Sequence, residues 1–161
     1  MSITSAEAQA QNAKVLAVQS ANLAALAAVT ANGSAEALEK IAIKAVNEIK
    51  SMLSRPGTGA VYQHGNVTHQ ASAPGEPPAV DTGTYRNSWA WVSAGKGSSF
   101  YVDIGTPQVT GPILEFGSSR MAPRPHLRPA MEQVRATMQR EIVEQVTKAQ
   151  LSAIKKMQKF L

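Results

Sequence analysis

Residues Gly111 to Met131 read Gly-Pro-Ile-Leu-Glu-Phe-Gly-Ser-Ser-Arg-Met-Ala-Pro-Arg-Pro-His-Leu-Arg-Pro-Ala-Met, which places an apolar cluster, three arginines and four prolines in one short stretch. Pro123, Pro125 and Pro129 fix their own backbone and push the residues before them toward extended conformations. The segment is therefore predicted to be stiff without a sheet partner and to hold its arginines in fixed directions. Arg128 is predicted to enter a long helix, with Pro129 at its first position.

The same stretch carries a carboxylate inside an apolar run. Glu115 lies within Leu114–Gly117, and Arg120, Arg124 and Arg128 are close enough in sequence to compensate its charge if it is buried. We therefore predict an ion pair between Glu115 and one of these arginines, or a charged group of a neighbouring chain. On the residues alone, the plainer interpretation is a rigid loop that leads into a helix.

Helical patterns lie on both sides of this stretch. Alanine-rich sequence predicts one helix from about residue 5 to 31. Asn32–Gly33 predicts its end, and Ser34 predicts the cap of a second helix, which ends by Arg55. After Pro129, apolar residues at helical spacing predict a long C-terminal helix.

Strand signals are confined to the middle of the chain. Trp89 and Trp91 alternate with smaller residues, Gly95–Gly97 offers a turn, and residues 100–104 alternate again, which predicts an antiparallel hairpin at about 88–105. The tryptophans are predicted to cover the long helices rather than to stack on nucleic-acid bases. Residues from about 57 to 80 lack periodicity and are predicted to form a long loop, with at most a short strand at Ala60 to Gln63.

These patterns predict one α+β domain over residues 1–161, in which a small antiparallel β-sheet packs with two N-terminal helices and a long C-terminal helix. The chain has no cysteine, so disulfides and thiolate metal sites are excluded. Its net charge of +5 lies mainly in the C-terminal two thirds and, without interleaved aromatics, predicts a solvated helix face. The apolar stretch at 21–31 is predicted to be too short and too rich in alanine to span a membrane.

A search for catalytic and metal-binding patterns leads us to predict no catalytic residues, no cofactor and no metal. Glycine-rich phosphate loops, metal-binding helices and nucleophile elbows are missing from the sequence. His64 and His69 are five residues apart, so they share no helix face and have no third ligand nearby. Ser72, His69 and Asp81 could form a triad only on one proline-broken loop.

Two stretches resemble a known family. The run Leu-Glu-Phe-Gly-Ser at 114–118, followed by Met-Ala-Pro-Arg-Pro-His-Leu-Arg-Pro-Ala at 121–130, is similar to the signature of the tail-completion, or head-tail joining, proteins of long-tailed bacteriophages. Ser-Ala-Pro-Gly-Glu-Pro-Pro-Ala-Val-Asp-Thr-Gly-Thr-Tyr-Arg-Asn-Ser at 72–88 resembles that family's other hallmark. His126 departs from it, standing where phenylalanine is commoner, and Gly111–Pro112 replaces the usual Tyr-Ala.

The resemblance implies a structural virion protein of the phage neck, assembled in the host cytoplasm, that forms a ring at the head-proximal end of the tail and joins the tail to the capsid connector. The ring is usually sixfold in that family. Implied partners are further copies of the chain, tail terminator or tail tube proteins, and head-closure or connector proteins, with DNA passing through the lumen and no membrane. Candidate interface residues are Asp81, Thr82, Gly83, Arg86, Glu115, Phe116, Arg120, Arg124, His126 and Arg128.

The basic charge supports an alternative from another class. A protein with an excess of lysine and arginine is attracted to the phosphate backbone of nucleic acid. A DNA-binding or DNA-packaging accessory protein is therefore the second hypothesis.

Overall fold

The computed structural model describes residues 5–158 of the chain, and these form α-helices together with two antiparallel two-stranded sheets. The predicted α+β class is confirmed. The helices are α1 (Ser5–Met52), α2 (Thr84–Asn87), α3 (Thr110–Phe116) and α4 (Leu127–Gln158), and the strands are β1 (Val61–His64), β2 (Val67–Gln70), β3 (Ala90–Ala94) and β4 (Tyr101–Gly105), with a 3₁₀ turn at Gly97–Ser99.

The body of the protein is an antiparallel pair of long helices, α1 and α4. Their inner faces bury Ile41, Ala45 and Val134 in one apolar cluster, as apolar residues at three and four residue spacing predict. At the edge of this seam the Lys40 ammonium donates to the Gln145 side-chain oxygen over 2.8 Å. Helix α1 is thus a core element over its C-terminal half.

The predicted break in the N-terminal region at Asn32–Gly33 is wrong, because α1 runs through it as one helix of 48 residues. Gly33 is buried against α4, and a methyl group there would lie 3.1 Å from Ala149 Cβ and 3.3 Å from Val146 Cα. The Ser34 hydroxyl donates back to the Thr30 carbonyl at 3.0 Å instead of capping a new helix. The glycine therefore serves the close approach of two helices rather than a helix stop.

A second apolar cluster lies where the β3–β4 hairpin meets the helices. Trp89 is buried there with Ile49, Leu53 and Ala130. The predicted hairpin at 88–105 is confirmed, and the strand register pairs Trp91 with Ile104 and Ala90 with Gly105. The hairpin thus packs along α1, and Trp89 covers the long helices as predicted, whereas Trp91 is only half-buried.

The region predicted as a loop at about 57–80 contains a further hairpin, formed by β1 and β2. The base of this hairpin is fixed by backbone hydrogen bonds from the Gly59 N–H to the Ala71 carbonyl at 2.8 Å and from the Ala71 N–H to the Ala60 carbonyl at 2.9 Å. Gly57 packs so closely on Ala71 that a methyl group would fall 2.2 Å from its carbonyl oxygen. Four-residue strands rich in polar side chains give little sequence signal, which explains why only one of them was suggested.

The expectation that the N-terminal apolar stretch is too short to span a membrane needs correction. Within Gln9–Met52, helix α1 has a window of mean hydropathy 1.4, none of it buried, that passes a test of length and composition for a membrane span. The continuous helix is the reason, since it joins apolar residues on both sides of the predicted stretch. Length and composition alone are weak evidence, because signal sequences, which also lie near an N-terminus, pass the same test.

Candidate partner-binding site

The start of α4 is held by the side chain of Glu115, which reaches across from α3. Its Oε2 accepts hydrogen bonds from the backbone N–H groups of His126 and Leu127, and its Oε1 accepts one from Arg128, each at 2.9 Å. The first turn of any α-helix leaves its N–H groups without intrahelical partners, and a carboxylate also complements the positive end of the helix dipole. Glu115 therefore acts as a cap supplied from another element.

Pro129 and Ala130 account for the remaining backbone positions in the first turn of α4. Pro129 has no N–H and needs no acceptor, and the Ala130 N–H donates to the His126 carbonyl at 3.3 Å. Helix α4 therefore begins at Leu127, two residues before the predicted start. The predicted ion pair of Glu115 with an arginine is wrong within residues 5–158, because backbone N–H groups occupy both carboxylate oxygens.

The electrostatics of Glu115 follow from this arrangement. Burial alone would raise the pKa of the carboxyl, but the backbone N–H groups of His126, Arg128 and Leu127 outweigh it and hold the pKa below its usual value. The carboxylate thus stays ionised at the N-terminus of α4, where a negative charge stabilises the helix. The same charge lies 3.2 Å from His126 Nδ1.

His126 is fully buried and is held on three sides. Its ring meets those of Tyr85 and Trp89 edge to face, with centroids 5.5 Å apart in both pairs. Nδ1 lies 3.0 Å from the Arg124 carbonyl oxygen and Nε2 lies 2.7 Å from the Tyr85 hydroxyl. Because the carbonyl can only accept, we assign the proton to Nδ1, which leaves Nε2 to accept from Tyr85. His126 thus packs between two aromatic rings and also forms two side-chain hydrogen bonds.

The chain of contacts from Tyr85 through His126 to Glu115 has the order of a catalytic triad, but both oxygens of Glu115 accept from backbone N–H groups and His126 Nδ1 lies nearest to the Arg124 carbonyl. Burial, followed by the negative charge of Glu115, raises the pKa of Tyr85 to about 12. We therefore assign this chain to packing and orientation of the α4 entry.

Arg124 joins the two stretches that carry the family resemblance. Its guanidinium donates to the carbonyl and hydroxyl of Ser72 and, at 3.1 Å, to the Ala73 carbonyl. The Gly75 N–H donates to the Pro123 carbonyl at 3.0 Å. Ser72 is thus occupied as a structural residue, which opposes the triad on this loop. The two stretches, distant in sequence, form one rigid unit.

The loop before α2 is arranged around its glycine. Gly83 has a φ of 78°, which favours glycine, and the Thr84 N–H donates to the Thr82 hydroxyl at 3.3 Å. Among the described residues it is thus Thr82, and not the exposed Asp81, that accepts this bond. Arg86 Nη1 donates to the Ser54 hydroxyl at 3.2 Å. All four predicted residues of this loop border one cleft of about 310 Å³.

The outer side of α3 and its preceding residue is apolar and open to solvent. Val109, Ile113 and Phe116 are 85 %, 46 % and 67 % exposed, and their spacing of four and three residues places them on one helical face. We call these three residues the α3 docking face. Arg120 and Arg128, which follow α3 in the chain, are also exposed.

The sequence identified some of these residues and missed others. It singled out Glu115, Phe116, Arg124 and His126, which the structure places together. It missed Tyr85 as the partner of His126, because a contact between residues so distant in sequence leaves no local signal. The docking face could have been found from the spacing of its three residues.

Comparisons of the chain with protein-family models, with curated proteins and with solved structures give no match. Within residues 5–158, no group of three or more metal-ligating side chains is present.

Proposed function

We propose that this protein is a structural subunit of a phage neck, which forms a ring at the head-proximal end of the tail and joins the tail to the capsid connector. The observation that carries the proposal is the rigid unit formed by the two motif stretches. Arg124 ties the first stretch to the second, and Glu115 ties the second to α4. A ring subunit needs contact surfaces of fixed shape more than it needs a reactive pocket.

The α3 docking face gives this rigid unit a surface for a neighbour. Three large apolar side chains lie exposed on one face of α3. Glu115 of the same helix is buried. Contiguous exposed apolar surface on a soluble protein typically marks a contact site. The exposed Arg120 and Arg128 add positive charge, which suits an acidic surface on a further copy or on a connector protein.

The direct test is the position and stoichiometry of the chain in assembled particles. We expect electron microscopy of neck-containing particles to reveal a closed ring of this chain, and native mass spectrometry to detect its addition to isolated tails or capsids. A chain found only as a soluble monomer, with no density in the particles, would refute the proposal.

The contribution of the docking face is tested by the double substitution Ile113→Gln and Phe116→Gln. Both side chains are exposed, so thermal melting should change little while incorporation into particles falls at least about tenfold. Val143→Gln is the control, because Val143 is 59 % exposed on α4. Equal incorporation of all three proteins would remove α3 from the interface.

A further inference from the structure

Helix α1 continues well beyond the body that its second half helps to form. Within the described residues, the hydrogen bond between α1 and α4 that lies nearest the start of α1 joins Gln150 to Thr30 over 2.9 Å. Helix α4 ends at Gln158, about 12 Å further along, which corresponds to about residue 22 of the antiparallel α1. Residues 9–28 of α1 nevertheless keep all of their side chains except Leu26 exposed, and we call them the overhang.

The face of α1 that packs on α4 continues into the overhang. Leu16 and Leu23 precede Thr30 and Ala37 at a constant spacing of seven residues, and positions seven apart on a helix share a face, with a drift of only about 20° each time. Thr30 and Ala37 belong to the part that α4 covers, whereas Leu16 and Leu23 are 65 % and 69 % exposed. One stripe of α1 is therefore half covered and half open.

An apolar cleft marks the place where the covered part ends. Its volume is about 590 Å³, and it lies between the overhang, the tip of the β3–β4 hairpin and α4. Leu23 and Leu26 border it on one side, Phe100 on another and Gln150 on the third. The seam between α1 and α4 is thus followed by a groove of similar chemistry that could receive a further helix.

We propose that the overhang packs against the overhang of a second copy of this chain, stripe to stripe through Leu16, Leu23 and Leu26. Charge favours this occupant. From residue 9 to 35, Lys14 is the only charged residue. A partner that packs on this segment should therefore present an uncharged helix with an apolar stripe of similar width. The identical segment of another copy meets this requirement, and duplex DNA, which is bound through several cations, does not.

A lipid bilayer is the rival occupant, because the window within Gln9–Met52 is apolar enough for one. The overhang, however, carries amide side chains throughout, and Asn12 and Gln19 lie on the same face as Leu16 and Leu23. An amide in hydrocarbon without a partner is costly, whereas at the edge of a helix bundle it stays hydrated or bonds across the interface. The distribution of amides therefore favours a helix over a bilayer.

The size of the overhang sets how strong this association can be. A helix of twenty residues is about 30 Å long, and one pair buries roughly 600 Å² in total, less than the 1,200 Å² or so of a typical stable interface. A single pair is therefore weak, and association should depend on concentration or involve more than two copies. The contact is separate from the α3 docking face.

Sedimentation of the full chain over about 1–200 µM tests the proposal. We expect species heavier than the 17.0 kDa monomer at the upper concentrations. The double substitution Leu16→Gln and Leu23→Gln should weaken association at least about tenfold, while circular dichroism and thermal melting stay unchanged because both side chains are exposed. Val18→Gln with Ala25→Gln is the matched control, since these exposed residues lie on the opposite face of the overhang.

Three outcomes would overturn the proposal. One is a monomer at every concentration, and another is association that both double variants weaken equally. The third is flotation of the wild-type chain with phosphatidylcholine vesicles that the leucine variant loses, without self-association, which would assign the stripe to a bilayer. Each of these outcomes leaves the proposed function intact, because the neck ring is argued from the α3 docking face, which is separate from the overhang.

Discussion

At the scale of single residues, the entry to α4 depends on a carboxylate that lies eleven residues before the first N–H it binds. A serine or aspartate at the cap position itself is the usual solution. Here the cap position is taken by His126, whose ring is committed to Tyr85 and Trp89. Glu115 supplies the missing acceptor, and Pro129 removes the one N–H that it could not reach. Each of these residue types is explained by the others.

Replacing Glu115 with alanine should therefore cost about 3 kcal/mol of unfolding free energy, because it leaves three backbone N–H groups without an acceptor at a largely buried helix start. Glu115→Gln should cost about half as much, since one amide oxygen can still accept part of the set. Urea denaturation of both variants measures this. The control is Glu144→Ala, which removes an exposed glutamate on α4 and should change the unfolding free energy little. If Glu115→Ala loses as little as this control, water has taken the place of the carboxylate as acceptor.

The ionisation of Glu115 adds a dependence on pH. Its pKa is below the ordinary value of 4.5, so the ionised form is favoured in the folded state. Its contribution is complete above the ordinary value and is lost as pH falls through the lower, folded pKa. The stability difference between the wild type and Glu115→Gln should thus be constant above about pH 5.5 and shrink below about pH 4.5.

This prediction compares two proteins because another carboxyl behaves in the same way. The Thr58 hydroxyl, followed by the Ala73 and Thr58 backbone N–H groups, lowers the pKa of Glu76. Acid unfolding of the wild type alone would therefore mix the two groups, whereas the difference from Glu115→Gln isolates one. A difference that does not change between pH 6 and pH 3 would contradict the assignment of the cap.

At the scale of elements, the continuity of α1 through Asn32–Gly33 decides how the two long helices pack. A glycine inside a helix normally costs about 1 kcal/mol relative to alanine. Gly33 is tolerated because its missing side chain lets α4 approach at Ala149 and Val146. Asn32 is exposed in the middle of the helix, and nothing in the structure explains an asparagine there.

Two substitutions test this continuity. Asn32→Ala should raise the unfolding free energy by about 0.5 kcal/mol, since alanine is the better helix former. Gly33→Val should lower it by about 2 kcal/mol, because the added atoms overpack the seam with α4. Ala25→Val, exposed on the same helix, controls for the helix propensity of valine. Thermal melts decide, and a helix broken at Asn32 would gain nothing from alanine there.

The same elements explain how far the sequence could lead. Local signals sufficed for the β3–β4 hairpin and for the C-terminal helix, because periodicity and proline act over a few residues. They failed at Gly33, where the reason for the glycine lies on α4, more than a hundred residues away. They also failed for Glu115, for which an arginine partner was predicted, because its partners are backbone N–H groups, which no side-chain pattern reveals.

At the scale of the whole molecule, the distribution of charge separates the two functional hypotheses. The net charge is +5, but several cations are engaged within the fold. Arg124 binds Ser72 and Ala73, and Lys44 forms an ion pair with Glu141. A protein that binds DNA as its main task presents a group of cations to the phosphates, and each phosphate contact steepens the dependence of affinity on salt.

We therefore predict weak binding to duplex DNA, with a log–log slope against salt concentration of magnitude below about 2. Fluorescence anisotropy with a labelled duplex at 50–200 mM salt measures the slope. The double substitution Lys155→Gln and Lys156→Gln, in the last turn of α4, provides the comparison, because these lysines form the most basic end of the described chain. If the slope is about 4 or more and these substitutions reduce it by about 2, this end of α4 is a DNA-binding surface and the DNA-packaging alternative is favoured. If the slope is shallow and the variant binds like the wild type, the positive charge acts in contacts with protein surfaces, as a ring subunit through which DNA passes without being held requires.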